Sequence, residues 1–525
     1  MAQETVPPLL QLPAELLQHI LCFLDPFSLA KVAQTCKTLG TQSYDDLIWQ
    51  PHVNDNVSMP ITEPKPLKSF RDLYIAHHPY WFLPRQQIWF ADTFPTGKLI
   101  IARYEPQEGS IVAYAVVAHR RTYALQRWEK DRNVIIHSFA PEVELELKRP
   151  VLKLSAASAE TDDQPGNYPS DRGYGPPSKY NKELVMDLFT ESGLFSSFIL
   201  CRPLPDAAIS AGTQVWPPLR FPATARARNS SQDAYGSSGH RPSVLSEVSE
   251  SNFRLRKWVE YNSRHSGPRL LSWSSPNGLA AVLGLTGPRF STTLSANGDG
   301  SMSVQMPEDI STYATLLGSC YTPTSEKPWQ GIYCGDYSGH GCEFILVRQI
   351  SHDEAGPLPE GMEPLESYFE GDDTDTPSDP DHKDDWAPQS VMSEGSNAPA
   401  GRLEAIKLTG DINIPRGEHT FIAPDISNHG LIRIADEEVF RGARVVRSAG
   451  HIAHQGFQDG RYIQSSGFDS MLTTLSIDAW MPSQLVMVSH DTLCQYWTDF
   501  GHMSYYRRVD LNALLNFSAP SDVEV

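Results

Sequence analysis

This chain of 525 residues lacks most of the signatures that would give it bond-making chemistry of its own. Its seven cysteines, at 22, 36, 201, 320, 334, 342 and 494, include no CxxC pair, so neither a disulfide framework nor a zinc module is indicated. Reduced thiols of a cytoplasmic or nuclear protein are the expectation. No Gly-Lys-Ser/Thr phosphate loop and no Gly-x-Ser-x-Gly elbow occurs, which leaves a nucleotide-binding loop and a serine hydrolase without support. The opening MAQETVPPLL has neither a basic region nor a long apolar run, so no secretory signal is read there. No segment approaches the roughly 20 apolar residues that cross a bilayer. Positive charge is scarce, with 43 Lys and Arg against 63 Asp and Glu and a net charge of −20. Thirteen of the acids lie between 353 and 385, against Lys383 alone. A nucleic-acid partner is excluded on that field, because phosphate binding requires the opposite sign.

What the sequence does contain is organised around LLQLPAELLQHILCFLDPFSLAKVAQTCKTLGTQSYDDLIW, residues 9–49. Pro13 suits the start of a helix. Leu16, Leu17, Ile20, Leu21, Phe23 and Leu24 then recur at helical spacing and cover roughly half the circumference, wider than the stripe of an ordinary surface helix. Asp25-Pro26 breaks that helix and caps a second, which carries Leu29, Val32, Ala33 and Cys36. Three short helices cannot bury this much apolar surface among themselves. The excess face has to dock on another chain or on the rest of this one.

The run Leu12-Pro13-x-Glu15-Leu16-Leu17-x-x-Ile20-Leu21-x-x-Leu24-Asp25-Pro26, followed by Asp46-x-Ile48-Trp49, resembles the F-box. The resemblance implies docking on the Skp1 adaptor, and through it on the cullin, of an SCF ubiquitin ligase. Leu12, Pro13, Leu16, Ile20, Leu24 and Val32 would form the adaptor-binding face.

Residues 51–80 read as a connector with a helix in Leu67–His77. From 81 the period becomes that of strands, with apolar runs at 88–92, 98–104, 110–120, 122–128, 133–139 and 143–148 separated by turn residues. Further runs lie at 184–201, 270–273, 279–286, 302–306, 402–408, 419–423, 431–435, 444–453 and 484–489, and a short helix is expected over Arg254–Tyr261. Three stretches poor in large apolar residues, 156–181, 222–251 and 353–400, are expected to be disordered inserts. The fold class expected is therefore α+β. A small three-helix F-box at 9–50 precedes a large antiparallel β-barrel-like domain at 81–525.

The densest functional candidate is Trp329–Phe344, a strand, a Gly339-His340-Gly341 turn and a returning strand. His340 and Glu343 as an acid–base pair is outweighed by the plainer reading of a turn histidine and a strand-edge carboxylate. His451-x-x-His454 does not make a metal pair, since residues three apart in a strand face opposite ways and no third ligand is near. Neither a metal nor a cofactor is expected. Arg461 stands beside aromatic residues and could hold a carboxylate or carbonyl oxygen. Tyr80–Pro84, Ile88–Asp92, Arg103-Tyr104, Trp329–Glu343, Thr409–Gly417 and Gly450–Phe457 together resemble the C-terminal domain of F-box-only proteins of the thirty-one type, fungal branch. In that family the domain is a barrel that holds a substrate for ubiquitylation. One departure is an insertion at Gln464–Trp480, which bears on the surroundings of Arg461. The resemblance implies a non-catalytic substrate receptor. Trp329, Tyr333, Asp336, His340 and Arg461 would take a chain end or short extended segment at a barrel mouth. The alternative is a ligand-responsive barrel of lipocalin type lined by Trp329, Tyr333 and Tyr337.

Overall fold

The computed structural model describes residues 7–93, 96–120, 125–137, 140–156, 180–186, 188, 194–203, 216–218, 220–223, 240–262, 293–296, 302–336, 341–370, 399–410, 414–453 and 479–516. Four helices lead: α1 (Ala14–Leu21), α2 (Pro26–Ala33), α3 (Lys37–Ser43) and α4 (Asp46–Asn54). The break at Asp25-Pro26 works as the sequence implies. The Asp25 carboxylate accepts from the backbone N–H groups of Phe27 and Ser28 at 2.9 and 3.1 Å, satisfying two donors at the start of α2. One helix more is present than the three expected. α3 is built from Thr, Gly and Ser, weak helix formers that leave no periodic signal. Its end is held by the Trp49 indole, which donates to the Ser43 carbonyl at 2.7 Å. α5 (Phe70–His77), capped by Ser69, and α6 (Phe82–Gln86) connect these helices to the strands.

The strands fall into two sheets. The first runs β6 (Pro141–Leu145), β3 (Ser110–Arg120), β2 (Lys98–Glu105), β1 (Ile88–Ala91), β12 (Met302–Thr315), β10 (Asn252–Asn262), β9 (Leu194–Leu200), β8 (Leu184–Met186), with β7 (Leu152–Ser155) also on β3 and β11 (Thr293–Ala296) also on β12. The second is a closed antiparallel barrel of eight strands. Around its wall it runs β16 (His419–Ala423), β15 (Arg402–Lys407), β14 (Cys342–Ile350), β13 (Gly331–Asp336), β21 (His502–Arg508), β20 (Thr492–Trp497), β19 (Ala479–Ser489) and β18 (Arg444–Ile452). Phe421↔Gly450 and Ile422↔Ala449 close the ring, and β17 (Leu431–Ile434) lies outside on β18.

The first sheet is the middle layer. Trp89, Ile100 and Ala102 pack with Leu21, Trp49 and Leu73 of the helices, while Ile88, Phe90 and Ile101 on the opposite face pack on Ile332, Leu346 and Ile406 of the barrel wall. Burial on both faces is why β1 and β2 read as continuous apolar runs without alternation. A hairpin of β4 (Leu125–Arg127) and β5 (Ile135–His137) reaches the barrel, where Trp128 packs with Val445 and Val486 and donates to Glu437 Oε1 at 3.1 Å.

Three expectations need correction. Arg254–Tyr261 is strand β10, paired on one side with β9 and on the other with β12, not a helix. Its register slips between Lys257 and Val259, and that irregularity hides the period of two. Of the tract 222–251, residues 240–251 are folded, with ion pairs Arg202–Glu247 and Arg241–Glu183 and a buried Ser249. Of 353–400, residues 353–370 pack on the barrel through Met362 and Leu365 against Ile422 and Ala449. Residues 157–179, 224–239 and 371–398 of the three inserts lie outside the described residues, as do the runs at 270–273 and 279–286. No helix among the described residues is long and apolar enough to cross a membrane.

Candidate functional site

Two surfaces break the usual distribution of side chains, one outside and one inside. On α1 the wide apolar face resolves into two stripes. Leu17 and Leu21 turn inward and are buried. Leu16 and Ile20 turn outward, and the stripe continues through Phe23, 78 % exposed, to Phe27 beyond the break. Leu47 of α4 adds a side chain 67 % exposed. An apolar patch of this kind on a surface is the mark of an interaction site. Of the six residues expected on the docking face, Pro13, Leu16 and Ile20 are exposed and Leu12 is half-buried. Leu24 and Val32 lean instead against the chain's own core. Phe23, Phe27 and Leu47 belong to the exposed face as well; the sequence counts Phe23 in the helix's apolar face, but none of the three is among the six residues expected to bind the adaptor. The spacing i, i+4, i+7 from Leu16 through Ile20 to Phe23 is the signal that puts the first of them on the same row.

Inside the barrel, strand alternation divides the interior lengthwise. At the end where β19 turns into β20, the interior is filled by Tyr333, Val347, Leu403, Leu485, Met487 and Leu493. The Tyr333 hydroxyl lies between the carbonyls of Trp329 and His490, at 2.9 and 2.7 Å, and burial raises its pKa above the ordinary phenol value. At the other end the inward positions are polar. Glu343 shares a face with Ile345 and Val347, and Lys407 with Leu403 and Ala405; the two meet at 3.1 Å with each side chain 1 % exposed. Across from them Ser448 and Ser483 hydroxyls bond at 2.8 Å, and the Gln495 amide N–H donates to Ser483 at 3.2 Å. The Gln495 side-chain carbonyl and the Ser504 hydroxyl are fully buried without a protein partner among the described residues.

The Thr409–Gly417 motif holds this end in place. Thr409 Oγ1 accepts from the Phe344 N–H at 3.0 Å, the Gly410 N–H donates to the Thr96 carbonyl at 2.8 Å, and the buried Arg416 pairs with Asp92 of the first sheet. Gly410 has φ +122°, and a Cβ there would come within 2.4 Å of Glu343 Cβ, so both the backbone and the ion pair require glycine. Gly450 makes room in a different way, since the Trp497 ring lies where its Cβ would be.

Of the five residues expected to bind substrate, the three that are described, Trp329, Tyr333 and Asp336, are not gathered in one place. Trp329 and Tyr333 are core at the apolar end and line no mouth. Tyr333 cannot both anchor that core and face a ligand, which also weakens the lipocalin-type reading. Asp336 is at the polar end of β13 but has the parity of Ile332 and Cys334, which face the first sheet. Cys334 in that row has a thiol pKa raised by the neighbouring Cys342 thiol and by burial. Tyr337, His340, His454 and Arg461 lie outside the described residues. Lys407, Ser483 and Gln495 were missed because a single polar residue in an apolar run does not reveal which face is inward. Among the described residues no group of three His, Cys, Asp or Glu could hold a metal.

Comparison with known families matches both surfaces. Residues 9–54 match the family model described as F-box-like, which covers α1 to α4. Residues 313–513 match the model described as the cyclin D1 binding domain, which covers the whole barrel from the last residues of β12. No curated protein matches the chain.

Proposed function

We propose that this chain is a substrate-recognition subunit of an SCF ubiquitin ligase, of the kind seen in F-box-only proteins of the thirty-one type. Its helices bind the Skp1 adaptor, and through it the cullin, while its barrel region holds a protein for ubiquitylation. The exposed row Leu16, Ile20, Phe23, Phe27 carries this reading, because nothing in the chain's own fold covers it among the described residues. A stable interface there buries at least about 1,000 Å². The chain then contributes proximity and orientation, and the reaction takes place at a partner's active site. The matched cyclin D1 binding domain supports a protein as the barrel's ligand. A peptide reaching the polar end would find buried donors and acceptors at Ser483, Gln495 and Ser504. His340 and Arg461 are the proposed contacts for its chain end or short extended segment.

The test is the double variant Leu16→Asp, Ile20→Asp, assayed for capture of Skp1 and by circular dichroism. Loss of capture with an unchanged spectrum is expected. Undiminished capture would overturn the reading.

A further inference from the structure

A second opening lies at the apolar end of the barrel, where it meets the first sheet. It is a cleft of about 600 Å³, within the size range of ligand sites, which favour junctions between structural units. One wall is the corner between α6 and β1, with Arg85, Gln86 and Gln87; the other is the end of β21 and the helix Leu511–Leu515. The whole length of β13 separates it from the polar end of the barrel, since Gly331 lines the cleft and Asp336 ends the strand.

Its chemistry can be read from three features. Gln87 has φ +64° where the helix gives way to the strand, the one non-glycine among the described residues with positive φ. Glycine would take that conformation freely, whereas a side chain there is strained. The glutamine that occupies it lines the cleft. The side chains of Gln86, Gln87 and Asn512 make no hydrogen bond among the described residues, and each offers a donor and an acceptor of the kind a peptide group needs.

The charges are unequally committed. Arg508 is used by Asp491 and by the carbonyls of Pro328 and Gln330, and Asp510 is used as the cap of the helix that follows. Arg507 is exposed and has no ionic partner among the described residues, and Arg85 on the facing wall pairs with the exposed Glu250 alone. The floor is apolar, with Tyr321, Ile332 and Leu515, and Leu317 stands 64 % exposed just before Gly318 at the rim.

We propose that this cleft binds an extended internal segment of a partner protein in which apolar and acidic side chains alternate. The free amides pair with its backbone, Arg507 meets an acidic side chain, and Tyr321 and Leu515 take an apolar one. Charge-assisted contacts of this sort are among the stronger ones available to a peptide.

The probe is a fluorescein-labelled peptide alternating Leu and Glu, with Gly-Ser arms on both sides so that neither chain end reaches the protein, titrated into the full chain by anisotropy. A second peptide carries Gln in place of every Glu. Saturable binding of the Glu peptide is expected, weakened at least about tenfold by Arg507→Glu and by the Gln peptide. Gln87→Gly is expected to weaken it as well while leaving Tm unchanged or higher, which a purely structural Gln87 would not do. No binding of the Glu peptide, or binding indifferent to both Arg507→Glu and Gln87→Gly, overturns the proposal. Neither result bears on Skp1 capture.

Discussion

The N-terminal helices keep large apolar side chains on the outside, and the barrel keeps an ion pair and a row of hydroxyls on the inside. Each inverts the normal distribution, in which an exposed apolar patch and a buried charge are the two informative exceptions. The difference between them lies in what completes each one. Phe23 and Leu47 have no cover among the described residues, and in the proposed function the adaptor supplies it. Glu343 and Lys407 complete each other, with the glycine at 410 leaving room for both. In the proposed function one surface therefore serves a partner and is tolerant of change in the isolated chain. The other is internal and intolerant.

The sharpest way to break that comparison is Lys407→Met. It removes the lysine that faces the Glu343 carboxylate in a site 1 % exposed, and the expected loss is about 3–5 kcal/mol in urea unfolding. Adding Glu343→Leu should restore much of it, because removing both charges removes the uncompensated one. A Lys407→Met protein as stable as the parent would show that water reaches the pair.

Next comes the contrast within α1. Leu17→Ala is expected to cost about 2–5 kcal/mol, as a buried leucine does, whereas Leu16→Ala next to it should change stability by no more than about 0.5 kcal/mol. Equal losses would mean the two stripes are not distinct in solution.

The smallest effect is at the joint between the helices and the first sheet, the layer that separates them from the barrel. His77 of α5 donates from Nε2 to the Gly109 carbonyl at 3.1 Å, and burial lowers its pKa to about 4. The unfolded chain takes up a proton near pH 6.5 that the folded chain refuses until about pH 4. Stability present above pH 6.5 is therefore lost as the pH falls through that window, by up to about 3 kcal/mol. His77→Gln should flatten that part of the stability–pH curve, measured by denaturation at a series of pH values. An unchanged slope would assign it to other groups.

Much of the architecture was legible because it is local. The Asp25-Pro26 break, the helix ending at His77 and the hairpin of β13 and β14 all follow from caps, spacing and turn residues within a few positions. Arg254–Tyr261 was misread because its slip in register at Trp258 removes the alternation by which a strand is recognised. The folded ends of the inserts were missed for a different reason. Met362 and Leu365 are isolated apolar residues in an acidic tract, and their value comes from Ile422 and Ala449, far away in sequence.

The candidate site was less legible than the fold. Trp329 and Tyr333 are aromatic residues beside glycines, a composition shared by binding sites and by well-packed cores, and in this barrel they are core. Asp336 stands one residue from the inward row, and a single step along a strand exchanges the two faces.

That helices come first and strands after, where α1 breaks, and that its apolar face exceeds what short helices can bury all follow from residue order. Which strands belong to the open sheet and which to the barrel, and that the barrel closes through Phe421↔Gly450 and Ile422↔Ala449, emerge only from long-range pairing. So do the inward turn of Leu17 beside an outward Leu16, and the meeting of Lys407 with Glu343. The physical reason is the range of the forces involved. Period, capping and turn chemistry act between neighbours in the chain, whereas closure, facing and charge pairing depend on segments that meet only when the whole surface is buried at once.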